Sequence, residues 1–289
     1  MNIKLTIAAA TAIALSSFIG VSMLSSKNTS TDFHNYDHAQ AASVNNETAT
    51  LNSETLSEVS SLSITEVPQT QLKELEITDK DTCYHKLLNS IDYYNTASGK
   101  IETNMLNGND FSIEYNVDMN TGNAYQHVVS FDFDEEVFCE NGIVTIVNNL
   151  LQSDNISSSP AVTKSADTGN YDDDGKRVDC ENGIMSYHYR LNPTNLHYAS
   201  TVSIFPQEMA FGFLSDKELW NISGKENYLN RETFVIEGST SPEYGAKLNI
   251  NNFKMNIDSQ TGILLGFEGY DASGVLTNYM KTVEFSNAQ

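Results

Sequence analysis

The chain has 289 residues and carries 38 acidic against 16 basic side chains, a formal net charge of −22. A surface this acidic repels phosphate backbones and anionic headgroups, and no basic cluster offsets it, which argues against nucleic acid as a partner. Three cysteines, Cys83, Cys139 and Cys180, are too few for a disulfide scaffold, and the odd number leaves at least one thiol free or intermolecular.

Residues 5–24, LTIAAATAIALSSFIGVSML, are apolar or small behind a start carrying Lys4, the pattern of an export signal. Two fates are open: cleavage at Gly20-Val21-Ser22 or Ala39-Gln40-Ala41, or retention as an anchor, since roughly 20 apolar residues span a bilayer. Either fate makes the protein extracytoplasmic, secreted or membrane-tethered at the cell surface. Residues 1–26 are therefore read as a signal peptide or N-terminal membrane anchor. Residues 27–70, rich in Ser, Thr, Asn and Glu, have too little apolar surface to offset the entropy of ordering and read as a linker. His34 and His38 within it are read as solvated. Residues 71–289 are long enough for one well-formed core.

In that domain, TDKDTCYHKLLNSIDYY (78–94) predicts a helix, with Thr78 as cap and Cys83, Tyr84, Leu87, Leu88, Ile91 and Tyr94 on one stripe. The period then switches to two: Phe111, Ile113, Tyr115, Val117 and Met119 alternate with polar residues, as in a half-buried strand. Tyr125, His127, Val129, Phe131 and Phe133 are expected to continue that apolar face, with His127 as a hydrogen-bonded core residue. The aromatic-rich stretch FPQEMAFGFLSDKELWNI (205–222), disrupted by Pro206, predicts a short helix or lid. TFVIEG, AKLNINNFKMNID, GILLGFEGYD and GVLTNYMKTVEF, separated by short turn signals, predict an antiparallel meander.

The pentapeptide Cys-Glu-Asn-Gly-Ile occurs twice, at 139–143 and 180–184. Asn-Gly supplies the two positive-φ positions of a tight hairpin, so both copies read first as turns, with Leu106-Asn107-Gly108 as a third instance. A Cys139–Cys180 disulfide is the second reading, provided the hairpins are adjacent. Neither copy has the further ligands that zinc requires. An EF-hand-like loop overlaps the second copy: Asn170, Asp172, Asp174, Gly175 and Glu181 fall at ligand or turn positions for calcium, although Arg177 takes the usually apolar eighth position.

No Gly-x-Ser-x-Gly elbow, His-Glu-x-x-His or phosphate-binding loop is present, so no catalytic residue is assigned and no cofactor is expected. The recurrent feature is aromatic and Met-containing apolar surface. Phe111, Tyr115, Met119, Phe131, Phe133, Tyr189, Phe211, Phe213 and Trp220 are the candidate ligand-binding residues, because an incompletely covered concave sheet would offer an apolar cavity.

LWNISGKENYLNRETFVIEG and FKMNIDSQTGILLGFEGYDASGVLTNYMKTVEF resemble the LolA/LolB/RseB-like superfamily of exported proteins. The residues that carry the resemblance are Gly224, Glu226, Arg231 and Ile236, then Ile257-Asp258, Thr261-Gly262, Leu264-Leu265, Tyr270-Asp271 and Gly274. HKLLNSIDYYNTASGKIE also fits the family's opening. The resemblance implies an α+β, mainly antiparallel fold: a curved, unclosed barrel-like sheet packed on an N-terminal helix, with a short lid or insertion. Members carry lipoproteins or sense envelope components, and a regulatory branch influences anti-sigma factors. The expected function is a non-enzymatic binding or sensor protein holding a lipid or apolar peptide in the concave face. The alternatives are a module that docks another envelope protein and, third, a hydrolase using His127 or His188.

Overall fold

The computed structural model describes residues 72, 74–106, 108–151, 156–163, 178–181 and 184–288. The expectations for the export segment and the linker lie outside these residues. Among the described residues no helix is long and apolar enough to cross a membrane.

Asp79, rather than Thr78, caps the first helix, α1 (Lys80–Leu88). Its carboxylate accepts from the Thr82 amide at 2.8 Å while the Thr82 hydroxyl accepts from the Asp79 amide at 3.0 Å. This reciprocal pairing satisfies two donors that the first turn leaves open. The helix ends sooner than its stripe predicts, at Leu88, and a 3₁₀ turn (Ser90–Asp92) follows. The tighter turn still lays Ile91 and Tyr94 in the core beside Cys83, Leu87 and Leu88.

The strands are β1 (Thr96–Leu106), β2 (Asn109–Asp118), β3 (Asn123–Val129), β4 (Asp134–Glu140), β5 (Ile143–Asn148), β6 (Ile156–Pro160), β7 (Val178–Glu181), β8 (Ile184–Tyr187), β9 (Trp220–Tyr228), β10 (Arg231–Ser239), β11 (Asn252–Asp258), β12 (Leu264–Tyr270) and β13 (Leu276–Ala288). Among the described residues, eleven of them form one antiparallel sheet in the order β6-β5-β4-β3-β2-β1-β13-β12-β11-β10-β9, and β7 pairs only with β8. The edge strands β6 and β9 do not pair with each other, so the sheet is unclosed. An open antiparallel sheet with helices on one face is the architecture that the superfamily resemblance implies.

All three Asn-Gly sites join paired strands through two residues: Leu106 faces Asn109, Glu140 faces Ile143, and Glu181 faces Ile184. Asn141 and Gly142 have φ of 52° and 75°, the left-handed pair that the turn requires. A further hairpin, Tyr228 to Arg231, uses Leu229 and Asn230 in the same conformation without any glycine.

The face of β3 is the reverse of the sequence expectation. Ala124, Gln126 and Val128 are buried, whereas Tyr125 and His127 turn outward. The reason is the loop length between β2 and β3. Asp118 pairs with Asn123 across a four-residue turn, so Val117 faces Ala124, Tyr115 faces Gln126 and Ile113 faces Val128. An even loop places odd positions opposite even ones, and cross-strand partners share a face. Phe131 then lies at the β3–β4 turn, fully exposed, not on the apolar face.

AKLNI also departs from its strand expectation. Ser241 accepts from the Tyr244 amide and Pro242 takes the first helical position, starting α4 (Pro242–Leu248). Serine followed by proline is a helix start as readily as a turn.

Three further helical pieces pack on the inner face: α2 (Tyr198–Ile204), α3 (Gln207–Met209) and a π-helical turn (Ala210–Leu214). α2 crosses β1, β2 and β12, and α1 meets α3 and the π turn. Phe213 makes edge or tilted ring contacts with Tyr244, Phe253 and Phe267 at 5.0–5.1 Å. The wider turn brings Gly212 against the Tyr244 ring, where any added Cβ would overlap it. The aromatic-rich segment is therefore part of the core.

The residues that carry the family resemblance turn out to fasten strands. Arg231 donates to both Asp258 oxygens, at 2.6 and 3.1 Å, and Asp258 Oδ1 accepts from the Thr261 amide and hydroxyl at 2.8 and 2.7 Å. Glu226 accepts from the Asn256 amide across β9–β11. Gly224 sits beside a bulge where the β9–β10 register shifts. Gly262 has φ of 73°, and a Cβ there would stand 2.7 Å from the Lys86 carbonyl, so the Thr-Gly turn admits no larger residue. Lys86 itself is buried and donates to the Leu75 and Ser259 carbonyls at 2.5 and 2.8 Å, tying α1 to this turn.

Candidate functional site

The inner face near β5 and β6 is incompletely covered. β5 presents Val144 and Ile146 inward, β6 presents Ser159, and the chain continues through Pro160 and Val162. Opposite them runs the segment 192–202. A cavity of about 290 Å³ lies between, partly open, lined also by Asn192, Asn195, Leu196, His197, Tyr198, Thr201, Val202 and Glu208. That volume is at the small end of ligand pockets, which run from roughly 300 to 1,000 Å³.

The facing segment is held by its own polar side chains. Asn195 makes two bonds to Val162, accepting its amide at 2.7 Å and donating to its carbonyl at 2.9 Å, as a strand partner would. Asn192 closes a turn, accepting from the Thr194 amide and hydroxyl and donating to the Leu196 carbonyl at 3.1 Å. The Thr201 hydroxyl donates to the same carbonyl at 2.6 Å. Beneath, Gln126 Oε1 accepts the His197 amide at 3.1 Å and the Ser200 hydroxyl.

Tyr198 opens α2 with φ of 57°, a left-handed conformation that is strained for a bulky residue. The turn sets its ring edge-on to Phe133 at 5.9 Å, and Phe133 in turn meets Phe111 at 5.8 Å. Its hydroxyl bonds Glu135, and burial pushes the Glu135 carboxyl above its ordinary range. His197 is largely buried, and its Nε2 has no hydrogen-bond partner among the described residues. Desolvation lowers its pKa, which keeps the imidazole neutral.

This gives an expected pH response. The unfolded chain protonates His197 near the ordinary value of about 6.5, whereas the folded chain resists protonation to lower pH. Between those two values the unfolded state binds more protons, so stability falls as pH drops below about 6.5. Glu135, reached through Tyr198, has a raised pKa and acts in the opposite sense, and Glu208 shares the cavity wall. The diagnostic is therefore a difference: melting temperature should fall less from pH 7.5 to 5.5 in His197→Phe than in the native chain. Equal falls would contradict the buried neutral imidazole.

The nine candidate ligand residues separate into groups. Phe111, Tyr115, Met119, Phe211, Phe213 and Trp220 are buried against the chain's own helices and strands. Phe133 is partly buried behind Tyr198 at the border of the cavity, Phe131 is fully exposed at its turn, and Tyr189 is half exposed with its ring 4.7 Å from Phe211. Cys139 is a buried free thiol that donates to the Gly122 carbonyl at 3.2 Å, and the Cys180 side chain lies outside the described residues. Of the calcium candidates, Asn170, Asp172 and Asp174 lie outside them too, and Glu181 is exposed at the end of β7.

His127 pairs with Asp134 at 2.9 Å on the outer face, and Asn149 donates to the same carboxylate oxygen at 2.8 Å. The pair is half exposed and stands on the opposite face of the sheet from the cavity. His188 is exposed.

No family model and no curated protein matches the chain. Solved structures that are similar to it include an uncharacterized conserved protein from Thermus thermophilus, at 8% identity over 72% of this chain and 86% of that one, TM-score 0.37. Pseudomonas aeruginosa MucB, solved with MucA, is 14% identical over 73% of this chain and 57% of that one, TM-score 0.40. The Mycobacterium tuberculosis lipoprotein LppX is 8% identical over 72% and 93%, TM-score 0.35. The chain thus spans less than two thirds of MucB and most of the other two.

Proposed function

We propose that the protein is an extracytoplasmic, non-enzymatic binding protein that holds a small apolar ligand in the cavity between β5–β6 and residues 192–202. The observation that carries this reading is the contrast along one face. Most of the inner face is filled by α2, α3 and the π turn, while the β5–β6 end keeps Val144, Ile146, Val162, Leu196 and Val202 around open space. The wall mixes these apolar side chains with polar ones, of which Asn192, Asn195 and Thr201 are bonded to the chain itself, leaving the apolar groups as the main surface for a ligand. The bound molecule is accordingly smaller than a ligand occupying the whole concave face, and Phe133 and Phe111 support the wall through Tyr198. Residues 1–26 would export or anchor the chain and 27–70 would space the domain from the membrane.

The test is binding of the uncharged apolar dye N-phenyl-1-naphthylamine, followed by its fluorescence. The native chain should enhance the emission, and Val202→Trp, which fills the cavity, should reduce the affinity at least tenfold while the melting curve stays cooperative. Undiminished binding by Val202→Trp would place the dye elsewhere and contradict the assignment.

Docking of another envelope protein is the second reading. It is favoured by β6, an edge strand among the described residues, with every residue exposed.

A further inference from the structure

Among the described residues, the two edges of the eleven-stranded sheet are built differently. β9 is guarded against pairing: its register with β10 slips at a bulge between Ile222 and Gly224, and Lys225 and Glu226 stand exposed on it. β6 has neither device. It runs in unbroken register with β5, from Val147 opposite Ile156 to Ile143 opposite Pro160, and Ile-Ser-Ser-Ser-Pro carries no charge. Its backbone directions follow from one bond, in which the Ala161 amide donates to the Gly142 carbonyl at 2.9 Å. Successive residues of a strand alternate in direction. Ser157 and Ser159 therefore turn their amides and carbonyls to β5, while Ile156 and Ser158 turn theirs away from it. Pro160 faces the same way as Ser158 but has no N–H. The side chains of 156, 158 and 160 share the outer face with β5, where the Ser158 hydroxyl lies 3.3 Å from that of Thr145. At the two ends of this short ladder Ile156 and Ile143 are exposed.

From this contrast, and resting on the second reading above, in which β6 docks a protein, we propose that its partner is a second copy of this chain. The two β6 strands pair antiparallel about a twofold axis at Ser158. The strand is complementary to itself in that register. The two Ser158 residues exchange two N–H···O bonds, and each Ile156 amide meets the Pro160 carbonyl of the other copy. Proline, with no N–H to give, falls at the end of the ladder, where its loss is smallest. On the outer face Ile156 lies opposite Pro160 of the other copy, between its own Val147 and that copy's Ile143. Exposed apolar groups of both copies are thus covered together. No like charges meet within the paired strands, which matters for a chain of net charge −22. Because β9 is guarded, the pairing closes at two copies instead of running on into a fibre. An interface of one five-residue strand from each copy is small, so the dimer is transient and depends on concentration.

The experiment is sedimentation velocity of the full chain over roughly 1–500 µM, the range in which a small interface associates. The native chain should pass from monomer to dimer. It should do so more readily at about 0.5 M than at about 0.05 M salt, because screening relieves the repulsion between two acidic copies. Ser158→Pro removes the outward N–H at the axis, leaves the β5 ladder intact, and should weaken association at least tenfold while the melting curve stays cooperative. Ser158→Ala keeps the N–H and should associate as the native chain does. Ile156→Lys, which sets a charge in the interface, serves as the working variant if the proline fails to fold. Association that neither Ser158→Pro nor Ile156→Lys weakens runs through another surface, residues 5–24 included, and would overturn the proposal. Hydrogen exchange at the Ser158 amide separates the remaining outcomes. A monomer throughout, with fast exchange there, overturns the self-pairing and leaves the edge open to another envelope protein. A monomer throughout, with that amide protected, means that the edge is occupied within the chain and overturns both readings.

Discussion

Trp220→Asp should leave the chain unfolded at 25 °C rather than folded and unable to bind. Trp220 begins β9 fully buried, donates from Nε1 to the Leu214 carbonyl at 3.0 Å, and has the Lys80 ammonium 5.4 Å from its ring. Truncating a buried tryptophan costs about 3–5 kcal/mol. A buried, unpaired carboxylate in its place adds several kcal/mol more, against a typical domain stability of about 5–15 kcal/mol. Trp220→Ala is the milder measure, expected to lower the urea midpoint by an amount equivalent to about 3–5 kcal/mol. A cooperative, near-native urea transition for either variant would mean that the 205–222 segment is a detachable lid, one of the two readings its sequence allows, rather than short helices packed into the core.

The second large effect concerns a residue pair that no motif announces. Arg190 places Nη1 3.0 Å and Nη2 3.2 Å from the two Asp92 oxygens, and Nη1 also reaches Asn89 at 2.9 Å. Both partners are nearly buried, at 9% and 7% side-chain exposure. Gln207 brackets the Arg190 main chain, accepting its amide at 3.0 Å and donating to its carbonyl at 2.7 Å. The pair thus fastens the irregular stretch that leads into the cavity segment to the turn after α1. Asp92→Ala removes the bidentate carboxylate from a nearly buried guanidinium and is expected to cost about 3–5 kcal/mol in urea denaturation. The double variant Asp92→Ala with Arg190→Met removes the charge as well and should recover much of that loss. A cost below about 1 kcal/mol for Asp92→Ala would show that the charges are solvated and the strap is loose.

Much of the fold is legible because its signals are local. Asn141-Gly142 dictates a hairpin by backbone preference alone, and the odd positions of β2 name its buried face without any partner strand. The face of β3 is different. It depends on the parity of the loop 119–122, and reading that loop as four residues would have turned Gln126 inward and His127 outward from sequence. α4 was hidden because Ser241-Pro242 serves both a turn and a helix start. The candidate site was the least legible part. The aromatic residues that suggest a ligand surface, Phe211, Phe213 and Trp220, are used up in packing within the core, Phe213 against Phe253 and Phe267. The cavity instead depends on His197 and Tyr198, whose placement follows from a left-handed residue and from side-chain bonds to the distant Gln126 and Glu135. No sequence period encodes such contacts.

We infer that, among the described residues, the inner face is filled by the chain itself except at the β5–β6 end, where a small apolar ligand would bind. Native mass spectrometry of the full chain released from its own envelope fraction, compared with Val202→Trp prepared in the same way, tests it most directly. The native chain should carry a single small adduct that is absent from Val202→Trp. A bare native chain, or an adduct of full diacyl-lipid mass retained by Val202→Trp, would contradict it.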